Sequence, residues 1–336
     1  YHLNYQNWIN TEKLVIGLSN INGRYGFSSL HDYISSILWI GDNFLLLNFL
    51  NLSFYFVLFN FLTINILNKK SILFKSSLFI IIFGILDNFG LEGGRNGFLY
   101  IEGAGKQDSA FSILFYISNI LLINAILNKK VNNSDFLISC LLVAFSIQLR
   151  ILGIVTLIPL GYYFYLLNKT TINSYIRRIT LLLPLTFVGV VWGLKNILIS
   201  GCLLYPVEIT CINSLNWYIA DSATYEAGYT ENFYGAFTFS DNLLSWFNTW
   251  SQLSNNYTVS INFLGSILLI IIFKYIVFKY EKNISLKYIF FLSVYIIFIY
   301  SLWITNAPAI RLGMGIFLLN IGLLGLGSSS FRFEFT

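Results

Sequence analysis

Long apolar runs separated by short polar stretches make up most of this 336-residue chain. Most of these runs approach the roughly 20 residues that a helix needs to cross about 30 Å of hydrocarbon. Only a helix satisfies all of its backbone hydrogen bonds within such a segment, and no run shows the two-residue alternation of a barrel strand. The pattern therefore predicts an all-α polytopic integral membrane protein with about eight or nine transmembrane helices. The runs lie at residues 44–67, 71–88, 109–127, 136–149, 151–167, 179–199, 261–279, 288–304 and 311–327.

One apolar stretch departs from the pattern of one helix per run. Between residues 136 and 167 it is interrupted by Gln148-Leu149-Arg150, and it is flanked by Lys130 and Lys169. Because cytoplasmic loops carry the excess of Lys and Arg, both flanks should lie on that side. A short helical hairpin would satisfy this and leave Arg150 at its turn, below the outer surface. The alternative is one long tilted helix in which Arg150 pairs with an acidic residue.

Polar segments between the runs define the organisation of a single membrane domain. Residues 1–43 form an external segment, in which the apolar stretch 28–40 is too short to span and is typical of an amphipathic interfacial helix. Residues 44–201 form a transmembrane bundle with an external Gly-rich loop at 88–108. Residues 202–260 form an external loop whose short amphipathic helices would cover the outer face, and residues 261–336 contain the last transmembrane helices.

Composition and charge placement support this topology. The chain is 56% hydrophobic and 10% charged, with a mean hydropathy of +0.70, whereas soluble domains are roughly 25% charged. Lys and Arg gather in one alternate set of loops, and the 202–260 loop contains carboxylates but no Lys or Arg. The net charge of +5 therefore reflects orientation across a membrane, and nucleic acid is not an expected partner.

The cysteines and histidines give less specific signals. Cys202 and Cys211 could pair if their loop faces an oxidising compartment, or they could remain free thiols. Cys140 lies within an apolar run and should be inert. His2 and His31 lack the spacing of a metal site, which leaves a divalent ion only as an open possibility, and His31 is expected to be structural.

Several strings resemble a bacterial family of uncharacterised polytopic membrane proteins. That family is similar to the C-type (GT-C fold) glycosyltransferases, whose first external loop carries an acidic residue and which use lipid-linked sugar donors. The family's acidic residue precedes its Tyr-His-Leu string, so we expect the natural chain to continue upstream of Tyr1. The matching strings are Tyr1-His2-Leu3, Trp8-Ile9-Asn10, residues 15–28, Gln107-Asp108, Lys195-Asn196, Ser200-Gly201, Leu204-Tyr205-Pro206, Ala307-Pro308 and Arg311-Leu312-Gly313.

The resemblance implies transfer of a sugar from a polyprenyl-phosphate donor to a glycan or lipid acceptor in cell-envelope synthesis, among membrane lipids. Cations stabilise the departing phosphate, and the acceptor hydroxyl needs a base. Asp108, at the start of a predicted helix, and His2 are the candidate catalytic residues, although Asp108 could equally cap that helix. No cofactor is implied beyond the possible divalent metal ion. The candidate phosphate-binding residues are Arg24, Lys106, Arg150, Lys195 and Arg311.

Two other functions fit the same pattern. A polysaccharide polymerase or ligase would also use lipid-linked sugars, and its long late external loop would correspond to residues 202–260. A transporter or flippase would require inverted repeats and several ionisable residues near the bilayer midplane. The sequence contains no such repeat, and Arg150 and Lys195 are the candidates for ionisable residues at that depth.

Overall fold

The computed structural model describes residues 2–326 except 13, 42, 44, 70, 90–105, 129–132, 168–171, 254–255 and 278–285. All regular structure in the described residues is helical, with 13 α-helices, several short 3₁₀ turns and no strand beyond two isolated β-bridges. The all-α prediction is confirmed. The first seven α-helices are α1 (His2–Thr11), α2 (Leu30–Ile37), α3 (Leu47–Leu67), α4 (Phe74–Phe89), α5 (Asp108–Asn128), α6 (Asn133–Leu149) and α7 (Leu157–Leu167). The remaining six are α8 (Ile172–Ser200), α9 (Ser222–Tyr234), α10 (Leu243–Ser251), α11 (Asn256–Val277), α12 (Leu286–Asn306) and α13 (Ile310–Leu324).

Four of the described helices are both long and apolar enough to cross a membrane, namely those over Leu47–Leu67, Asp108–Leu127, Asn256–Tyr275 and Lys287–Asn306. Shorter apolar helices cover Asp135–Leu149, Ile151–Leu166, Thr186–Ser200 and Ile310–Leu324. The structure thus indicates a membrane protein, while the count of eight or nine spans stays a prediction that depends on the shorter helices.

Outward-facing apolar side chains support a lipid environment. Phe56 of α3, Phe187 of α8, Leu268 of α11 and Phe290 of α12 are all exposed on the outside of the bundle. They belong to a large set of exposed Leu, Ile, Val and Phe side chains on the same four helices. Soluble monomers rarely expose contiguous apolar patches of this kind.

Helix α5 is the centre of the bundle, since 78% of its spanning window is buried inside the protein. It packs most closely against α13, where Gly315 and Gly322 lie on the facing side: a Cβ atom at Gly322 would lie 2.7 Å from the Tyr116 ring. Small residues at such interfaces let two helix backbones approach each other. A polar contact also crosses the core, from the Tyr295 hydroxyl to the side-chain oxygen of Asn119.

The chain folds back after α6, as the hairpin interpretation predicts. Phe136, near the start of α6, stacks on Phe164, near the end of α7, with ring centroids 5.6 Å apart. The two helices are therefore antiparallel. Arg150 occupies the turn in an extended conformation, and the 3₁₀ turn Ile151–Thr156 leads into α7. Gly153 packs directly on the Ser146 backbone.

Several helix boundaries differ from the predicted runs, and for two of them a local hydrogen bond gives the reason. Helix α4 begins at Phe74 instead of residue 71, because Ser71 forms a turn in which its hydroxyl accepts the Leu73 N–H at 3.1 Å. Helix α11 begins at Asn256 instead of residue 261, since the buried Asn256 side chain donates to the Trp250 carbonyl at 2.9 Å. Apolarity alone could not locate either helix start, because a polar side chain fixes each of them.

Helix α2 is amphipathic and coincides with the predicted interfacial helix at 28–40. It starts with a capping box formed by Ser29 and Asp32. Its polar side chains, including His31 and Asp32, face inward and are buried, whereas Ile37 faces outward and is exposed. This orientation is the reverse of that in a soluble protein and suits a helix whose outer face contacts lipid.

Candidate functional site

Asp108 begins α5, the central helix. The Gln107 carbonyl accepts the Phe111 N–H at 2.9 Å, so Gln107 occupies the capping position and Asp108 lies in the first turn. A carboxylate in this turn interacts favourably with the positive end of the helix dipole. The Asp108 residue is only 4% exposed, so its charge needs partners inside the protein.

Those partners are two arginines from distant parts of the chain. Arg150, at the turn of the α6–α7 hairpin, forms an ion pair with Asp108 through Nη2. Arg311, the second residue of α13, places Nε 3.5 Å from the other Asp108 oxygen. The Arg150 and Arg311 side chains are 27% and 47% exposed, against 6% for Asp108. The carboxylate is therefore enclosed, while both guanidinium groups reach toward the surface.

Tyr234 adds a fourth side chain that the sequence analysis missed. Its hydroxyl accepts a hydrogen bond from Nη2 of Arg311, and the Arg311 guanidinium lies 5.7 Å from the centroid of its ring. Tyr234 is the last residue of α9, in the 202–260 segment. One tyrosine among the many in the polar segments carries no sequence signal that would single it out.

Lys195, near the end of α8, belongs to a second polar cluster. Its Nζ donates to the Ser28 carbonyl at 2.7 Å and to the Ser28 hydroxyl at 2.9 Å. The same atom lies 5.1 Å from the ring centroid of Tyr33. Burial raises the pKa of the neighbouring Asp32 carboxyl, while His31, the Ser29 hydrogen bonds and Lys195 act in the opposite direction. Lys195 thus joins the amino-terminal segment to the bundle through Ser28.

Hydrogen bonds connect this second cluster with the start of α5. His31 Nε2 lies 2.9 Å from the side-chain oxygen of Asn51 on α3. The Asn51 amide donates to the Lys106 carbonyl, also at 2.9 Å. Lys106 is two residues before Asp108, so its backbone helps to fix where α5 begins. The expectation of a structural role for His31 agrees with its complete burial.

Arg24 and His2 lie elsewhere in the amino-terminal segment. The Arg24 guanidinium is 5.9 Å from the ring centroid of Tyr229 on α9. It also faces Glu226, where burial raises the pKa of the carboxyl and Arg24 lowers it. His2 begins α1, but its side chain is outside the described residues, as is most of the Gly-rich loop. Of the predicted site residues, Arg150 and Arg311 are the two that contact Asp108 in the described part of the structure.

The chain matches a known family model over residues 1–318, described as "Domain of unknown function (DUF8201)". It belongs to this family. No curated protein and no solved structure matches the chain. The membership confirms the interpretation of an uncharacterised family, and the likeness to C-type glycosyltransferases continues to rest on the sequence strings alone.

The described residues of this DUF8201 chain contain no group of three or more His, Cys, Asp or Glu side chains that could hold a metal ion. A divalent metal ion, which the sequence left as an open possibility, therefore stays a prediction. At the Asp108 site the positive charge comes from Arg150 and Arg311. A phosphate group can be bound by such guanidinium groups directly.

Cys202 and Cys211 form a disulfide, which decides between the two alternatives that the sequence left open. Cys140 is the free cysteine, and it is buried. The disulfide closes the turn that follows α8, on which Tyr205 packs against Gly26 of the first segment. The beginning of the 202–260 segment is thereby fixed against the amino-terminal segment.

We expect the disulfide to be accessible to reagents from outside the cell. Treating intact cells with a membrane-impermeant reductant and then an impermeant maleimide should label Cys211, which is partly exposed, whereas Cys202 is buried. The bond itself is expected on the outer side, because disulfides persist in oxidising compartments. A variant with both residues changed to Ser is the control and should remain unlabelled. Labelling that occurs only after permeabilisation would place this segment in the cytoplasm and contradict the predicted topology.

Proposed function

We propose that this chain is a membrane glycosyltransferase that transfers a sugar from a polyprenyl-phosphate donor to a glycan or lipid acceptor at the external face of the bacterial plasma membrane. The observation that carries the proposal is the convergence of Arg150 and Arg311 on Asp108. Two neighbouring guanidinium groups offer planar sets of N–H donors that match the charge and geometry of a phosphate.

In this proposal Asp108 is a positioning residue. Its carboxylate is enclosed and engaged by both arginines, so it holds them side by side and does not contact the acceptor. Tyr234 orients the more exposed guanidinium of Arg311. The N–H groups of Arg150 and Arg311 that face outward then bind the donor phosphate.

The position of the site suits a lipid-linked substrate. Asp108 and Arg311 lie in the first turns of the apolar helices α5 and α13, and Arg150 directly follows the last residue of α6. A polyprenyl chain in the bilayer presents its phosphate at this level. The Cys202–Cys211 disulfide supports an external orientation of its segment, since disulfides persist in oxidising compartments.

The proposed reaction needs no further reactant. A hydroxyl oxygen of the acceptor bonds to the anomeric carbon of the sugar, and the bond from that carbon to the phosphate oxygen breaks. The electron pair leaves with the phosphate, and the hydroxyl proton ends on the released polyprenyl phosphate. Arg150 and Arg311 stabilise the negative charge that develops on the leaving oxygen.

Binding of the donor's lipid phosphate tests the proposal directly. Polyprenyl phosphate, added to the chain in lipid nanodiscs, should raise the thermal unfolding temperature, and the uncharged polyprenol should not. Arg150→Leu and Arg311→Leu should each weaken binding roughly 10- to 100-fold, because a hydrogen bond to a charged group is worth about 1.5–3 kcal/mol.

Lys287→Leu is the matched control, since it removes an exposed cation at the opposite end of α12 from the site. This variant should bind polyprenyl phosphate like the unaltered chain. Equal stabilisation by polyprenol and polyprenyl phosphate would count against the proposal. So would an Arg150→Leu variant that folds and binds polyprenyl phosphate normally.

A further inference from the structure

Helix α9 turns its aromatic side chains away from the protein. Tyr225, Tyr229 and Phe233 recur at every fourth position, and they are 75%, 44% and 60% exposed. The buried residues of the helix are Ala223 and Glu226. A surface helix in water normally has the reverse orientation, with its charged residues outside. An exposed aromatic face of this kind is typical of a surface that binds a partner from outside the chain.

The three side chains lie about one helical turn apart along α9, and we name them the aromatic stripe. Residues four apart on an α-helix are separated by about 6 Å along its axis. The Tyr229 and Phe233 rings stack with centroids 6.1 Å apart and planes at 18°. Phe233 meets Tyr234 edge to face, with centroids 4.9 Å apart. Tyr234 in turn accepts the hydrogen bond from Arg311, so the stripe ends at the candidate site.

We propose that the aromatic stripe of α9 binds a glycan, whose sugar rings stack on Tyr225, Tyr229 and Phe233. The C–H groups on one face of a sugar ring carry a small positive charge and meet the negative face of an aromatic ring. The glycan would extend along α9 toward Tyr234 and present its end near Arg311. This inference rests on the proposed function, in which that end is the acceptor.

The charge around the stripe favours a glycan over a membrane surface. Residues 202–260 contain carboxylates, Glu231 of α9 among them, and no Lys or Arg. Two cations from other segments contact aromatic residues of α9, and each of them faces a carboxylate of the chain. Arg24, beside Tyr229, faces Glu226, and Arg311, beside Tyr234, pairs with Asp108. This surface therefore presents no excess of positive charge to anionic lipid headgroups. The outward face of α11 carries aliphatic side chains such as Leu264 and Leu268, which suit lipid tails. The two tyrosines of the stripe instead offer hydroxyl groups that can bond to sugar hydroxyls.

Direct binding of neutral oligosaccharides tests the stripe without any assay of transfer. The probes are chitotetraose, maltotetraose and mannotetraose, and the readout is saturation-transfer NMR on the chain in lipid nanodiscs. At least one probe should bind, and Tyr229→Ala should weaken its binding roughly three- to tenfold. Tyr229→Trp keeps an aromatic face and should retain binding.

Phe239→Ala provides the matched control, because Phe239 is 92% exposed in the same segment but lies outside α9. This change should leave oligosaccharide binding unaltered. The proposal is overturned if the unaltered chain binds none of the three probes. It is equally overturned if Tyr229→Ala binds as well as the unaltered chain does.

A second measurement distinguishes a glycan surface from a membrane surface. A polarity-sensitive fluorophore on a cysteine introduced at Tyr225 should report water in nanodiscs, and emission typical of an apolar environment would overturn the proposal. Binding of polyprenyl phosphate is measured separately. If that binding is normal and no oligosaccharide binds, the stripe proposal alone fails. If oligosaccharides bind and polyprenyl phosphate does not, the proposed function fails while the stripe remains a glycan site.

Discussion

Changing Asp108 to Asn is expected to destabilise the folded chain by about 3–5 kcal/mol, the usual consequence of removing one partner from a buried ion pair. The enclosed site at the start of α5 would then hold Arg150 without its counter-ion, while Arg311 is more exposed and better screened by solvent. Thermal unfolding in lipid nanodiscs would measure the loss. Binding of polyprenyl phosphate should fall as well, since the two guanidinium groups would no longer be held together.

A double-mutant cycle separates the ion pair from other effects at this position. Arg150→Met alone leaves the Asp108 carboxylate with one partner and should also destabilise the chain. The Asp108→Asn, Arg150→Met double variant should recover part of the lost stability, because replacing a buried ion pair by neutral groups is often tolerated. If the losses of stability in the two single variants simply add in the double variant, Asp108 and Arg150 do not stabilise each other.

Asp108→Asn also distinguishes the positioning role of Asp108 from the capping and proton-transfer roles that the sequence left open. Asn retains most of the ability of Asp to cap a helix, so a capping role predicts little loss of stability. A role confined to proton transfer predicts normal stability with roughly 10²- to 10⁴-fold slower transfer. Only the positioning role predicts losses of stability and of phosphate binding together.

Gly153→Ala is expected to have the second large effect, by preventing closure of the α6–α7 hairpin. A Cβ atom at residue 153 would lie 2.5 Å from the backbone carbonyl atoms of Ser146. Backbone atoms within a helix cannot move aside as a flexible side chain can, so α6 and the turn that contains Gly153 must move apart. We expect a loss of at least about 1–3 kcal/mol, the typical cost of overpacking, and displacement of Arg150 from Asp108.

Gly161→Ala is the control for this prediction, because a Cβ atom there would meet nothing within 4 Å. Gly161 lies within α7, where Ala is the better helix former, so this variant should be as stable as the unaltered chain or slightly more stable. Thermal unfolding and the yield of monodisperse protein in detergent would compare the two variants. Equal behaviour of Gly153→Ala and Gly161→Ala would contradict the close packing at the turn.

Local chemistry made part of the candidate site predictable. Arg150 interrupts an apolar stretch and Asp108 begins another, and charged residues in such places need a partner or a polar ligand. These residues could be selected without knowing what surrounds them. Tyr234 could not, because its importance depends on its contact with Arg311, and nothing in its neighbours along the chain distinguishes it.

The sequence by itself determined the helical class and the approximate positions of the helices, because hydrophobic run length and charge placement act locally along the chain. It left a hairpin and one long helix open around Arg150, and the structure decided for the hairpin. The tertiary structure decided that Arg150 and Arg311 share one carboxylate, that α2 buries its polar face, and that α9 exposes its aromatic residues. These features arise where helices distant in sequence pack together. Which side chains meet there depends on the rotation and register of each helix, and an apolar run of similar residues on all sides does not specify either.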